Sequence, residues 1–220
     1  MKRSYEQELM DDFSIRDERI DIALRELKII NKYLGGIFTT KSALKFLVES
    51  ENEKLKIIDI GSGSSDNLIA AKNRYPNLQI LSIDKNLRVL SNAENSLMKI
   101  NSDAFHLPIK DGSYDIVHAA LFLHHFNEEK ILVLLTEFLR IAKKGIIIDD
   151  LQRSLFALIG IKILTVIFSK SEMVKNDAPL SVKRGFTKQE ILKLLADSGA
   201  TNFIIKKKWA FRWMVVIKNE

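Results

Sequence analysis

The residues whose types and spacing could do chemistry begin with Asp59, Gly61 and Gly63, in the stretch "KIIDIGSGSSDN". Glycines after an apolar run let backbone come close to a ligand. Neither common phosphate cradle fits. A P-loop needs a Lys-Ser/Thr pair after its glycines, and none follows; a dinucleotide fingerprint needs a small residue where Asp66 stands. Asp59 and Asp66 would repel a pyrophosphate and suit a ligand bearing positive charge and hydroxyls. Asp84 ends the next apolar run, "QILSID", twenty-one residues beyond Gly63, where a carboxylate can accept from both hydroxyls of a ribose. Asp103 falls in a later loop, placed to accept from an adenine amino group while nearby backbone N–H groups meet the ring nitrogens. Ser65 occupies the third-glycine position and reads as a helix cap whose hydroxyl takes up free N–H groups.

S-adenosylmethionine, with its ammonium, carboxylate, sulfonium and ribose, meets that description. Methyl transfer from a sulfonium is an in-line displacement, so a protein chiefly aligns the partners and excludes water. A phenolic acceptor, with a pKa of about 10, benefits from a base. Four histidines are available. His118 lies inside a strand-like run and reads as packed or satisfied by a hydrogen bond, and His106 as lining the adenine loop. His124 and His125 follow that run at its carboxyl end and are candidate bases, although "LHH" also reads as cofactor-site wall. Asp149 and Asp150 end a further run, and Asp150 is a candidate to face the acceptor. Adjacent histidines on a strand end point to different faces, and no HExxH or carboxylate cluster accompanies them. No metal site is expected.

These residues need a scaffold that brings strand ends together. Candidate strands at 56–60, 79–84, 97–101, 114–120 and 145–150 alternate with helical stretches at 66–75, 85–94 and 128–142. Continuous apolar strands alternating with helices predict an α/β fold, a parallel sheet with helices on both faces. "TNFIIKKKW" and "FRWMVVIKN" predict an antiparallel pair at a sheet edge, with Trp209, Phe211 and Trp213 on one packed face. Residues 17–33 predict a helix with Ile20, Leu24, Leu27, Ile29 and Ile30 on one face. Residues 151–186 interrupt the alternation before a helix at 187–198 that opens with a capping box, Thr187 and Glu190. An insertion at that end of a parallel sheet is a natural lid.

The motifs "IIDIGSGSSD", "LSIDKN", "SDAFHLPIKDGSYDIV" and "EFLRIAKKGIIIDD", in that order over residues 55–150, resemble the Rossmann-like, class I S-adenosylmethionine-dependent methyltransferases. The likeness is nearest to the ubiquinone/menaquinone-biosynthesis branch. It departs from the pattern at Ser65 and in lacking a Pro-Gly-Gly before the fifth strand. The resemblance implies a seven-stranded sheet whose last strand is antiparallel. It implies a cofactor site of Asp59, Gly61, Ser62, Gly63, Asp84, Lys85, Asp103, Ala104 and Phe105. One domain over 1–220 is expected: a helical cap at 1–50, the cofactor core at 55–150, the lid at 151–186, and a last helix with edge strands at 187–220.

Bulk properties narrow the partners. The 220 residues carry a formal net charge of +6, 46% hydrophobic content and no cysteine, which excludes disulfides and thiolate chemistry. The charged N-terminus lacks an apolar signal core, so a cytoplasmic protein is expected. "AALF" leading to "LHHF" lacks the Asn/Asp-Pro-Pro-aromatic tetrad of amino-methylating enzymes, so DNA is not expected and RNA is disfavoured. The expected acceptor is small and apolar or aromatic, methylated at oxygen or carbon. The alternatives are a non-catalytic module that binds cofactor or partner, and an RNA methyltransferase. The run at 155–168 is too short to span a bilayer, which needs about 20 residues, and suits a lid, a homodimer contact or peripheral membrane contact. Its stripe of Phe156, Ile159, Ile163 and Ile167 is expected to pack inward, leaving Leu155, Leu158, Ile161 and Leu164 to be covered.

Overall fold

The computed structural model describes residues 1–12, 15 and 17–219. Its strands are β1 (Leu55–Ile60), β2 (Leu78–Asp84), β3 (Met98–Asn101), β4 (Tyr114–Ala120), β5 (Ala142–Leu151), β6 (Phe203–Lys208) and β7 (Arg212–Lys218). They form one sheet in the order β3-β2-β1-β4-β5-β7-β6. β1 to β5 pair in parallel, and β7 runs antiparallel between β5 and β6. The tail hairpin therefore places its second strand inside the sheet, and only β6 lies at the edge.

The helices are α1 (Glu18–Tyr33), α2 (Gly36–Leu44), α3 (Asp66–Ala71), α4 (Leu87–Ser91), α5 (Glu128–Ile141), α6 (Leu155–Phe168), α7 (Glu172–Arg184) and α8 (Lys188–Asp197). Successive strand side chains point to opposite faces. Ile58 and Ile60 thus join Leu134 and Phe138 of α5 in one core, while Leu55 and Ile57 join Leu44 of α2 and Leu68 of α3 in the other. Full burial of such a side chain contributes about 1.5–3 kcal/mol, which is why helices cover both faces.

Local chemistry moves several boundaries. The stretch at 66–75 stays helical only to Ala71, and Pro76 disfavours helical backbone at Tyr75. The stretch at 85–94 shortens to α4 because the Asn86 side chain accepts from the Arg88 and Val89 amides and starts the helix there. In the N-terminal cap, α1 and α2 are separated at Gly35, whose φ of +85° residues with a Cβ rarely adopt. On α1, Ile20 and Ala23 are buried, and Leu24, Leu27 and Ile30 pack with them against Met173 and Val174. Ile29, expected on that face, is 57% exposed.

Two expectations about apolar faces are reversed. On α6 the inward residues are Ala157, Leu158, Ile161 and Leu164, packed with Ala178 and Val182 of α7. Phe156, Ile159, Ile163 and Ile167 point outward instead. The small Ala157 permits the close helix approach that a bulky Phe156 would block. In the tail, Trp213 is buried and its Nε1 donates to the Phe186 carbonyl at 2.9 Å. Trp209 and Phe211 sit in the connecting turn and are exposed, because positive φ at Ala210 and Phe211 breaks the strand alternation. Among the described residues, no helix is long and apolar enough to cross a membrane.

Candidate active site

Parallel strands end at one edge of the sheet, and there a cleft of about 1790 Å³ opens. A typical small-molecule site occupies about 300–1,000 Å³, so this one has room for two ligands side by side. One half is built by the β1 turn and the ends of β2 and β3. Asp59, Gly61, Ser62, Gly63, Asp84, Lys85, Asp103, Ala104 and Phe105 all line it. The sequence-predicted cofactor set is thus gathered in one place.

The two glycines have different reasons to be glycine. Gly61 has φ +62°, and a Cβ there would lie 2.1 Å from the Phe122 ring. Gly63 has φ +54°, and its Cβ would meet only open space and one Val89 methyl at 4.0 Å. Gly61 makes room for protein, and Gly63 borders open space in the cleft. The Gly63 amide donates to Asp84 Oδ2 at 3.0 Å, and the Asn86 amide to Oδ1 at 2.8 Å. This fixes the carboxylate while leaving each oxygen a further lone pair. Burial raises the Asp84 pKa above its ordinary value despite these bonds. Asp103 holds the Lys85 ammonium at 2.8 Å and the Phe105 amide at 3.1 Å. Burial opposes its charge, but these partners keep its pKa below the ordinary value.

Ser65 does not cap α3 through its hydroxyl. Its backbone is left-handed, with φ 57°, and its Oγ lies 2.7 Å from that of Ser82, both groups being buried. The turn needs the conformation a glycine would supply, and the serine is held in it by a bond to β2. His118, expected to be satisfied internally, is buried between Asp59 (Nδ1 to Oδ1, 2.6 Å) and Thr40 (3.1 Å). One Asp59 oxygen is therefore engaged before any ligand arrives.

The other half of the cleft is walled by Leu24, Leu27 and Ile30 of α1, Ala157, Ile161 and Leu164 of α6, and α7. His124 and His125 lie in a 3-10 turn, Leu123–His125, at the junction of the halves. Their rings do not diverge as expected of a strand end: the turn stacks them with centroids 4.3 Å apart. His124 is 3% exposed. Its Nδ1 is 2.7 Å from Asp150 Oδ1, and its Nε2 is 3.6 Å from Glu8 Oε1. Burial pulls its pKa down, but Asp150 and Glu8 outweigh this and push it up to about 9. Asp150, expected to face the acceptor, is absent from the cleft lining; it accepts from the His124 and Leu151 amides as well as the ring. It positions the imidazole. Asp149 is fully buried and paired with Arg212 at 2.9 Å, and burial still pushes it up to about 6.

Residues missed in the sequence complete this half. Glu8 and Asp11 reach the cleft from the N-terminal segment, whose Leu9 and Met10 amides donate to Asp177 at 2.8 and 3.0 Å. Ser181 donates to Glu8 at 2.8 Å. Arg184 donates to the His124 and His125 carbonyls at 3.2 and 2.7 Å and to Asp11 at 3.0 Å. Asp177, Ser181 and Arg184 stand at i, i+4 and i+7, one polar face of a helix, which is a signal legible in the sequence. Glu8, His124 and His125 offer donor atoms within 4.8 Å of one another, a spacing that could hold a cation, so divergence of the histidines is no argument against a metal. The Arg184 guanidinium, 3.6 Å from Glu8, is a resident positive charge that opposes a second one there.

The fold and the glycine-carboxylate half define a Rossmann-like methyltransferase architecture, and comparison with known proteins agrees. Residues 57–145 match the family model described as a methyltransferase domain. That match runs from β1 into β5, and the sheet order is that of the Rossmann-like methyltransferase fold. Its structure is similar to an S-adenosylmethionine-dependent methyltransferase from Aquifex aeolicus (TM-score 0.65, 15% identity, 92% of this chain and 99% of that one). It is also similar to the plantazolicin methyltransferase BpumL, solved with a pentazolic desmethylPZN analogue and SAH (TM-score 0.72, 16% identity, 94% and 93%). In sequence it is 32% identical over 78 residues to malonyl-[acyl-carrier protein] O-methyltransferase of Xylella fastidiosa, covering 33% of this chain and 26% of that one. It is 28% identical over 108 residues to demethylmenaquinone methyltransferase of Thermotoga maritima, covering 46% of each. The chain thus spans about a quarter and about half of the lengths of these two relatives.

Proposed function

We propose that the protein transfers a methyl group from S-adenosylmethionine to oxygen or carbon of a small apolar or aromatic acceptor. The observation that carries this reading is one cleft in which the glycine-carboxylate half adjoins an apolar half, with His124 between them. The cofactor fits the first half. Gly63 leaves open space in a left-handed turn, Asp84 is fixed with lone pairs to spare for ribose hydroxyls, and Asp59 supplies negative charge beside the turn. Asp103, Ala104 and Phe105 take the adenine side. Bound S-adenosylmethionine supplies an electrophilic methyl on a sulfonium.

The chain's own task is alignment, exclusion of water and disposal of a proton. Leu24, Leu27, Ile161 and Leu164 give the acceptor an apolar wall, and α6 with α7 acts as the lid. Asp150 occupies Nδ1 of His124 and Glu8 faces Nε2 at 3.6 Å; the raised ring is protonated near neutrality, so Nε2 takes the acceptor's proton only in its deprotonated form, whose share grows as pH rises toward 9. A basicity near 9 is close to that of a phenol, about 10, so the transfer is nearly balanced. The demethylmenaquinone methyltransferase among the relatives supports an acceptor of this kind, and the malonyl-[acyl-carrier protein] O-methyltransferase supports oxygen as the atom methylated.

The test is incubation with methyl-labelled S-adenosylmethionine and sets of phenols, quinols and fatty acyl carboxylates. Label should move into an organic-extractable product with wild type and far less with His124→Ala. Cofactor binding without transfer to any set would favour a non-catalytic binding module.

A further inference from the structure

We propose that α6 docks the protein on an anionic membrane surface. Leu155, Phe156, Ile159, Ile163, Val166, Ile167 and Phe168 are between 48% and 77% exposed on this single helix. Except for Phe168 at its end, they form one stripe, opposite the inward Ala157, Leu158 and Ile161. With 14 residues the helix is too short to span a bilayer. An apolar stripe of this kind, flanked by cations, suits a helix lying in the interface plane.

The flank supplies the charge. Beside Val166, a shallow groove is lined by Lys162, Lys175 and Lys183. Glu6 lies in the same groove, and Lys175 is paired with Glu172 at 2.8 Å. Lys162 and Lys183 add positive charge next to the stripe, and exposed Lys170 follows the helix. Anionic headgroups complement that arrangement. A second copy packed with its α6 antiparallel across a two-fold axis would set lysine-flanked edge against lysine-flanked edge, so lipid is the better occupant.

The opposite face of α6 gives the docking a purpose. Ala157, Gly160, Ile161 and Leu164 of this helix line the apolar half of the cleft. One helix thus separates the outer stripe from the acceptor wall, and docking would place the cleft next to a store of lipophilic acceptor. Only this purpose rests on the proposed reaction; the docking rests on the stripe and the lysines.

Co-sedimentation with phosphatidylglycerol–phosphatidylcholine vesicles, compared with pure phosphatidylcholine, tests it. Wild type should bind the anionic vesicles, and Phe156→Ser/Ile163→Ser should lower the partition at least about tenfold. Lys162→Glu/Lys183→Glu should weaken binding to anionic vesicles only. Both variants should keep the thermal shift with S-adenosylhomocysteine, which shows the fold intact. Equal partition of wild type and Phe156→Ser/Ile163→Ser would overturn the proposal. So would light scattering that shows a dimer dissolved by that variant with no vesicle binding. Vesicle binding without any cofactor thermal shift would instead remove the proposed reaction and leave docking standing.

Discussion

His124 Nδ1 stands 2.7 Å from the Asp150 carboxylate, and both side chains are sealed from solvent. The pair fixes the ring's orientation and sets its basicity, because burial alone would lower the pKa and the carboxylates raise it to about 9. Titration of the histidine ring protons by NMR should show one imidazole near that value. Asp150→Asn should bring it down by more than a unit. A His124 that titrates near 6.5 in the wild type would contradict the assignment.

The same shift makes stability depend on pH. The folded pKa lies above the ordinary 6.5, so the His124 contribution is complete below about 6.5 and is lost as pH rises through about 9. The melting temperature should fall across that window, and His124→Gln should flatten this part of the curve. An unchanged slope in the variant would show that other groups dominate.

Substituting the two turn glycines separates folding from binding. Gly61→Ala forces a methyl against Phe122, and overpacking of this kind costs about 1–3 kcal/mol. It should lower the melting temperature by several degrees. Gly63→Ala meets open space and should destabilise less, by about 1–2 kcal/mol for its positive φ, while weakening S-adenosylhomocysteine binding. Equal binding losses in the two variants, after allowing for stability, would refute the distinction.

Arg184 ties the N-terminal segment to the histidine turn through Glu6, Asp11 and the His124 and His125 carbonyls. It is 4% exposed, and breaking a buried ion network costs about 3–5 kcal/mol. Arg184→Met should speed amide exchange at Leu9 and Met10 more than in β1 or β4. Uniform acceleration would mean that Arg184 supports the whole fold and not this strap.

The glycine-carboxylate half of the cleft was legible in the sequence because its residues follow strand ends in chain order. Asp59, Gly63, Asp84 and Asp103 needed only the alternation of strand and helix to be brought together. The acceptor half was not, because it joins Glu8, His124 and Arg184 across more than a hundred positions, and only the α7 spacing of Asp177, Ser181 and Arg184 announces it. Ser65 misled for a local reason. Serine before a helix normally caps it, but here the turn imposed a left-handed backbone and turned the hydroxyl toward Ser82. The α6 faces were reversed because every position of the run is apolar or small apart from Lys162 and Thr165, so periodicity alone could not choose the inner side.

Calorimetric titration with S-adenosylhomocysteine tests the central claim most directly. Wild type should bind at one site, and Asp84→Ala should lose about 10- to 100-fold in affinity, since hydrogen bonds to a charged group contribute about 1.5–3 kcal/mol. Asp84→Asn, which can still accept, should lose less. Absence of binding by the wild type, or equal affinity in Asp84→Ala, would contradict a cofactor site at the ends of β1 and β2.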